Sequence, residues 1–494
     1  MIFILFTNIN ERGVMKLFFN ILIFLILTSN FNLFYCQDEN PDIIGNWQGT
    51  LSVMNTELRI VFKISQTNQG NLKAVLDSPD QGAFDIHVDS VILSGNIIRL
   101  EVKVVAGFYE GEFIKDSSYI EGTWNQAGQS FPLRLVKTEE VIKLNRPQEP
   151  EKPYPYNEEE VTFKNKEAGI TLAGTFTYPK DPASGTGGEN FPAVVLVTGS
   201  GPENRDEELF GHKPFLVWAD HLTRNGIAVL RFDDRGTAKS TGDFASATTI
   251  DFATDAVAAV EYLKSRKEVD AKKIGIAGHS EGGIVAPIAA NKSDDVSFIV
   301  LVAGPAVPGN EILELQIETI SRLSGVPEEQ IERDQVVIKK FFDILNNTED
   351  TIEVNEKLDI LYDDYYTSLP DSEKIKPENS KESFDQKKNI FMGKWMRFFL
   401  KFDPRTELVK LDIPVFAIFG EKDVQVAPSQ NKEEMEKALK KSNSENYKVV
   451  VLPGLNHIFQ ECETGAITEY AKIEQTASPI MLETMTDWIK EITD

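Results

Sequence analysis

From about residue 161 onward, short continuous apolar runs alternate with helical stretches, and this restricts the fold more than any other feature of the chain. Ala193-Val194-Val195-Leu196-Val197 is apolar without interruption, and Ser297 to Val302 is nearly so. A strand with two apolar faces must be covered on both, as in a mostly parallel sheet flanked by helices. The spacing predicts further strands at 161–163, 171–178, 227–232, 274–277, 415–419 and 447–451. It predicts helices at 215–224, 251–264, 282–290 and 478–492, the first stopped by Asn225-Gly226. The alternation breaks once. Residues 310–402 read as charged helices, with Ile312, Leu315, Ile317, Ile320 and Leu323 in helix-like spacing. An insertion of roughly 90 residues is too long for a loop. It is expected to form a cap over the strand ends, where open α/β sheets place their sites.

The text before this region is different. Residues 40–138 hold short alternating runs such as Leu58 to Ile64 and Ile97 to Val104, punctuated by Asn68-Gln69-Gly70-Asn71 and Ser94-Gly95-Asn96. Alternation with a period of two and close-set turns predicts a small all-β domain, a sandwich or a barrel. Trp47 and Trp124 sit in similar Gly-flanked contexts and are expected in its core, with a ligand site as the alternative. Residues 139–160 carry Pro147, Pro150, Pro153 and Pro155 and read as a semi-rigid linker, which leaves 161–494 as the second domain. Residues 1–36 read as a signal peptide: Lys16 precedes the apolar run Leu17 to Leu27 and polar Thr28-Ser29-Asn30. The expected location is secreted or periplasmic, with no membrane span in the mature chain. Leu33-Phe34-Tyr35-Cys36 has lipoprotein spacing, but Tyr35 is large for that signal, so lipidation ranks second and a retained anchor third.

Gly278-His279-Ser280-Glu281-Gly282 matches G-x-S-x-G between a predicted strand and a predicted helix. Such a turn holds a serine in strained backbone with its hydroxyl exposed. A serine hydroxyl is a weak nucleophile and needs a base. Among five histidines only His457 follows Ser280 in the chain, and it lies just past the predicted strand 447–451. Asp423 stands just past the strand 415–419 and is the expected acid, with Glu421 as runner-up. The order Ser280, Asp423, His457 is the order such triads follow in this kind of sheet. The tetrahedral intermediate needs two backbone donors. One is expected to be the N–H of Glu281. The other is expected from Thr198-Gly199-Ser200-Gly201-Pro202, with Ser200 first and Gly201 second. Arg205 and His212 follow this loop as candidates for the pocket rim, without catalytic roles.

Thr198-Gly199-Ser200-Gly201-Pro202-Glu203-Asn204-Arg205-Asp206, Gly211-His212-Lys213-Pro214-Phe215, Phe232-Asp233-Asp234-Arg235-Gly236 and Gly278 to Gly283 together resemble the secreted two-domain bacterial esterases of the α/β-hydrolase superfamily. The resemblance covers about 160–494 and, more loosely, the β domain. It implies an α/β-hydrolase fold with a helical cap, preceded by a small all-β domain. It also implies carboxylesterase activity on short acyl esters, though related proteins often carry peptidase-like labels. One departure is visible: Ala238 stands where the pattern after Arg235-Gly236 commonly has Gly.

Composition narrows the partners. The net charge is -26, which disfavours nucleic acid and anionic lipid. Cys36 and Cys462 are the only cysteines, so neither a disulfide framework nor a Cys-rich metal site is expected. Neither a cofactor nor a metal is expected, and the expected partner is a small-molecule ester. An aminopeptidase of the same fold is the alternative; it would need carboxylates near the pocket for a substrate ammonium. A binding protein with an incidental hydrolase unit is the third reading, and a complete triad argues against it.

Overall fold

The computed structural model describes residues 43–53, 56–114, 118–126, 129–139, 144–180 and 190–494. The signal segment lies outside them. Two compact units divide the chain, one within residues 43–139 and one spanning 144–494.

The first unit has nine strands: β1 (Gly45–Val53), β2 (Thr56–Gln66), β3 (Leu72–Ser78), β4 (Ala83–His87), β5 (Ser90–Ser94), β6 (Ile97–Val102), β7 (Gly107–Ile114), β8 (Tyr119–Gln126) and β9 (Gln129–Thr138). They form one antiparallel sheet in the order β4-β3-β2-β1-β9-β8-β7-β6-β5. The two-residue link from β4 to β5 joins its ends: Val88 N–H donates to Ala74 O on β3, and Asp89 N–H to Glu101 O on β6. Of the two expected architectures the unit is therefore barrel-like, because a sandwich would need two sheets. Trp47, Phe62, Leu100, Tyr109 and Trp124 share one buried core. Both tryptophan indoles are satisfied inside the unit, Trp47 Nε1 by Ile43 O at 2.6 Å and Trp124 Nε1 by Gln126 Oε1 at 3.0 Å. The core role expected of them holds.

The second unit has eight strands: β10 (Asn157–Asn165), β11 (Ile170–Tyr178), β12 (Phe191–Val197), β13 (Ala228–Phe232), β14 (Val269–His279), β15 (Phe298–Val302), β16 (Val415–Gly420) and β17 (Tyr447–Leu452). Their order is β10-β11-β13-β12-β14-β15-β16-β17. β11 runs antiparallel to both neighbours, and from β13 to β17 every pair is parallel. Side chains alternate across the sheet. Val194, Leu196, Phe298, Val300, Phe416 and Ile418 pack against the helices Pro214–Arg224 and Pro479–Thr493. Thr249–Lys264 and Gly282–Lys292 pack on each other and on β14.

Between β15 and β16 lie helices from Gly309–Leu323 to Lys394–Lys401, with Glu328–Asn347, Thr351–Ser368 and Lys381–Phe391 between. Local capping supports two of their starts. Asp350 accepts from Ile352 N–H and Glu353 N–H, and Ser380 accepts from Ser383 N–H. Their shared interior includes Phe341, Phe342, Leu345, Leu358 and Leu400. No described helix is long and apolar enough to cross a membrane.

The proline-rich stretch differs from the spacer expected of 139–160. From Leu144 it belongs to the second unit. The Arg146 guanidinium donates to the carbonyls of Phe210, Gly211, Ala471 and Ile473. The Gln148 side chain pairs with Thr476 and Ala477, and Tyr156 donates to Asp220 at 2.9 Å. Proline density predicts an extended backbone but carries no information about whether polar side chains along it find a surface to bind.

Candidate active site

Ser280 sits between the end of β14 and the helix Gly282–Lys292. Its φ is +53°, a conformation costing a non-glycine residue about 1–3 kcal/mol. Two glycines of the motif make that turn possible by close approach. A Cβ on Gly278 would lie 2.0 Å from Gly282 O, and one on Gly282 would lie 2.3 Å from Val197 O. Ser280 N–H is tied to Val302 O on β15 at 2.9 Å.

Asp423 and His457 arrive from the turns after β16 and β17, and both are buried. His457 Nδ1 lies 2.8 Å from Asp423 Oδ2. Asp423 Oδ1 accepts from Gln425 N–H at 2.8 Å and Val426 N–H at 2.9 Å, which fixes the carboxylate. Glu421, the runner-up acid, instead accepts from Gly454 N–H at 2.8 Å. The main chain of His457 is joined to the residue before the serine: His279 Nε2 is 3.0 Å from His457 O, and the two imidazole centroids are 4.9 Å apart.

The loop after β12 passes beside Ser280, so that a Cβ on Gly199 would lie 3.3 Å from Ser280 Cβ. Gly199 N–H is occupied by Glu207 Oε1 at 3.0 Å. Among the described residues, no backbone carbonyl takes the N–H of Ser200 or Glu281. Gly201, second choice for the donor, has a φ of +125°.

Comparison with known proteins finds chains similar to this one. Residues 215–349 match the family described as "Serine aminopeptidase, S33", and residues 400–493 match the dienelactone hydrolase family. Together with the strand order, these matches identify the fold. The second unit has the α/β-hydrolase fold. Esterase EstD of Thermotoga maritima is 30% identical over 298 residues, which is 60% of this chain and 60% of that protein. The chain thus matches less than two thirds of that relative's length. Among solved structures, the esterase PF2001 of Pyrococcus furiosus is 15% identical with a TM-score of 0.39, covering 71% of this chain and 97% of its own. Est1E of Butyrivibrio proteoclasticus, solved with ferulic acid, is 19% identical with a TM-score of 0.38, covering 67% and 97%. Likeness at that level bears on neither substrate nor mechanism.

In this fold the two rim candidates lie elsewhere. Arg205 is buried in a bidentate pair with Asp233, at 2.9 and 2.8 Å, and also reaches Glu160 and Thr175. His212 is fully buried, with Nδ1 2.9 Å from Thr476 Oγ1 and Nε2 3.0 Å from Tyr470 O. Those partners suit a neutral ring. Burial, with the Arg146 cation nearby, pushes His212 down to about 4. Ala238 has a φ of +46°, so the departure from glycine leaves an alanine in left-handed backbone. Cys462 donates weakly to Gly454 O, and burial raises its thiol above the usual value, which makes it a poorer nucleophile.

Sequence reading missed a layer of buried acids around the loop and the elbow. Glu203, Asp234 and Glu281 are all pushed up by burial. Asp234 accepts from Thr198 Oγ1 at 2.8 Å and Glu203 N–H at 2.9 Å. Glu281 Oε1 accepts from Thr249 Oγ1 at 2.6 Å and from Trp395 Nε1 at 2.8 Å, the latter on the helix Lys394–Lys401. Glu207 is almost wholly buried and holds His279 Nδ1 at 2.8 Å. These partners lie far apart in sequence, so no local pattern marks them. Among the described residues, no group of three or more His, Cys, Asp or Glu is arranged to hold a metal ion.

Proposed function

We propose that the chain is a carboxylesterase-type serine hydrolase working through an acyl-enzyme. The observation that carries this reading is Ser280 in left-handed backbone at a strand-to-helix turn, next in sequence to His279, which meets the main chain of His457, itself paired with buried Asp423. In this reading Ser280 Oγ attacks the ester carbonyl and His457 takes its proton, later giving it to the leaving alcohol. Asp423 holds the imidazole tautomer and stabilises its charged form. The N–H groups of Glu281 and Ser200 receive the oxyanion, which both being free of carbonyl partners supports. Water then releases the acid by the same steps in reverse order. Short acyl groups are the proposed substrates, enclosed by the helices between β15 and β16. Export is proposed from the Lys16 and Leu17 to Leu27 pattern.

A second reading, aminopeptidase, is favoured by the family description matched over 215–349 and by the buried carboxylates Glu207 and Glu281 with half-buried Glu203. One activity panel separates the two: aryl acetates and butyrates against aminoacyl anilides, with Ser280→Ala as control. The ester reading expects turnover of the short aryl esters, reduced about four to six orders of magnitude in kcat by Ser280→Ala with the fold intact. Anilide turnover without ester turnover would transfer the assignment to the peptidase. Ester turnover that survives in pure Ser280→Ala would remove both.

A further inference from the structure

We propose that His279 is a standing imidazolium that, clamped between Glu207 and the main chain of His457, positions the catalytic base against the oxyanion loop. The inference rests on the serine-hydrolase reading for its consequence, but the charge state of His279 can be measured without turnover.

The geometry assigns the protons. His279 Nε2 faces the carbonyl oxygen of His457 at 3.0 Å, and a carbonyl can only accept. His279 Nδ1 faces Glu207 Oε1 at 2.8 Å. A neutral His279 would need Glu207 to donate from that oxygen. The same oxygen already accepts Gly199 N–H at 3.0 Å, whereas Oε2 has no partner. An ionised carboxylate oxygen accepts both bonds, and both ring nitrogens of His279 then donate. A ring that donates from both nitrogens carries a positive charge.

The surroundings agree. Burial by itself lowers a histidine, yet His279 is raised above its usual value, because the Glu207 carboxylate and, at longer range, Asp423 outweigh burial. Glu207 in turn helps to raise Glu203, and the His457 ring and the edge of Trp218 complete the shell. The charged pair has a mechanical result. One carboxylate oxygen holds both the oxyanion loop, through Gly199, and the elbow, through His279. The other end of the same imidazole holds the loop that carries His457. Loss of the proton would remove one of these bonds and free that loop from the elbow. Neither Glu207 nor His279 is placed to touch substrate; both are positioning residues.

Two measurements test this in the full-length protein. Selective ¹⁵N labelling of histidine reads each ring directly, and His279 is identified by the signals absent from His279→Gln. Should that variant not fold, assignment proceeds by replacing His87, His212, His221 and His457 one at a time. At pH 7.5 both His279 nitrogens are expected to carry protons. A ring with one proton at that pH overturns the proposal, whatever the enzyme hydrolyses. The second measurement is the pH profile of kcat. Glu207→Gln keeps an oxygen for Gly199 N–H but removes the charge that holds the proton. The alkaline limb of the profile is expected to move down by about one pH unit or more, with KM little changed. An alkaline limb unmoved by Glu207→Gln would equally overturn it.

Discussion

At the residue scale the elbow has almost no room for change. Gly278→Ala would push a Cβ to 2.0 Å from the carbonyl of Gly282, which is backbone and cannot swing aside. The variant is expected to lose more than about 3 kcal/mol of stability, or to fold with the Ser280 turn displaced and its ester turnover abolished. Near-normal denaturation and turnover would show that the turn is laxer than its geometry. His212 offers a pH test. Its folded value near 4 lies below the ordinary 6.5, so the unfolded chain binds the extra proton as pH falls between them. Stability is therefore complete above about 6.5 and declines toward 4, by about 2–3 kcal/mol at pH 4.5. Denaturant melts of the wild type and His212→Gln should show the gap between them narrowing by that amount from pH 7.5 to 4.5. Parallel curves would mean that His212 is not a buried neutral ring.

At the scale of elements, the helix Lys394–Lys401 reaches the elbow through one side chain. Trp395 stacks on Phe399 at 5.5 Å and donates from its indole to Glu281. Phenylalanine would keep the stacking and lose the donor. Glu281 is deeply buried, and losing the indole leaves its carboxyl with the Thr249 and Ser200 hydroxyls as partners. Trp395→Phe is expected to cost about 1–3 kcal/mol, read as a lower denaturation midpoint. No change would show that the helix is held by its other bonds, Lys394 Nζ to Ser246 O and Arg397 to Leu345 O and Thr348 O.

At the scale of the whole molecule, the second unit has its own eight-stranded sheet and its own core, and it holds the proposed triad and both proposed donors. Where it begins is decided by Arg146 and Gln148 rather than by the end of the prolines. A chain starting at Leu144 is expected to fold and to hydrolyse small aryl esters with kcat/KM within about tenfold of the full-length protein. A chain starting at Glu158 loses the Arg146 and Gln148 bonds and the Tyr156–Asp220 bond, and should be markedly less stable. Equal stability of the two truncations would sink this view of the boundary. A folded Leu144 chain that has lost more than about a hundredfold would assign the first unit a part in catalysis.

The sequence by itself determined the layers, and it supplied the line of the proposed site. Strand and helix periods, the glycines flanking Ser280, and the order Ser280, Asp423, His457 are local signals or simple order along the chain. They suffice because a buried parallel strand needs an apolar run, and a sharp strand-to-helix turn needs small flanking residues. The tertiary structure alone decided the rest. It curled the first unit into a barrel-like sheet, seated Arg146 on carbonyls more than 300 residues away, and took Arg205 and His212 from the expected rim into buried networks. It also joined Glu207 to His279 across 72 residues and Trp395 to Glu281 across 114. The physical reason is common to all of these. A buried polar group is stable only beside a partner, and which partner comes within 3 Å depends on the path of the whole chain, to which no local pattern has access.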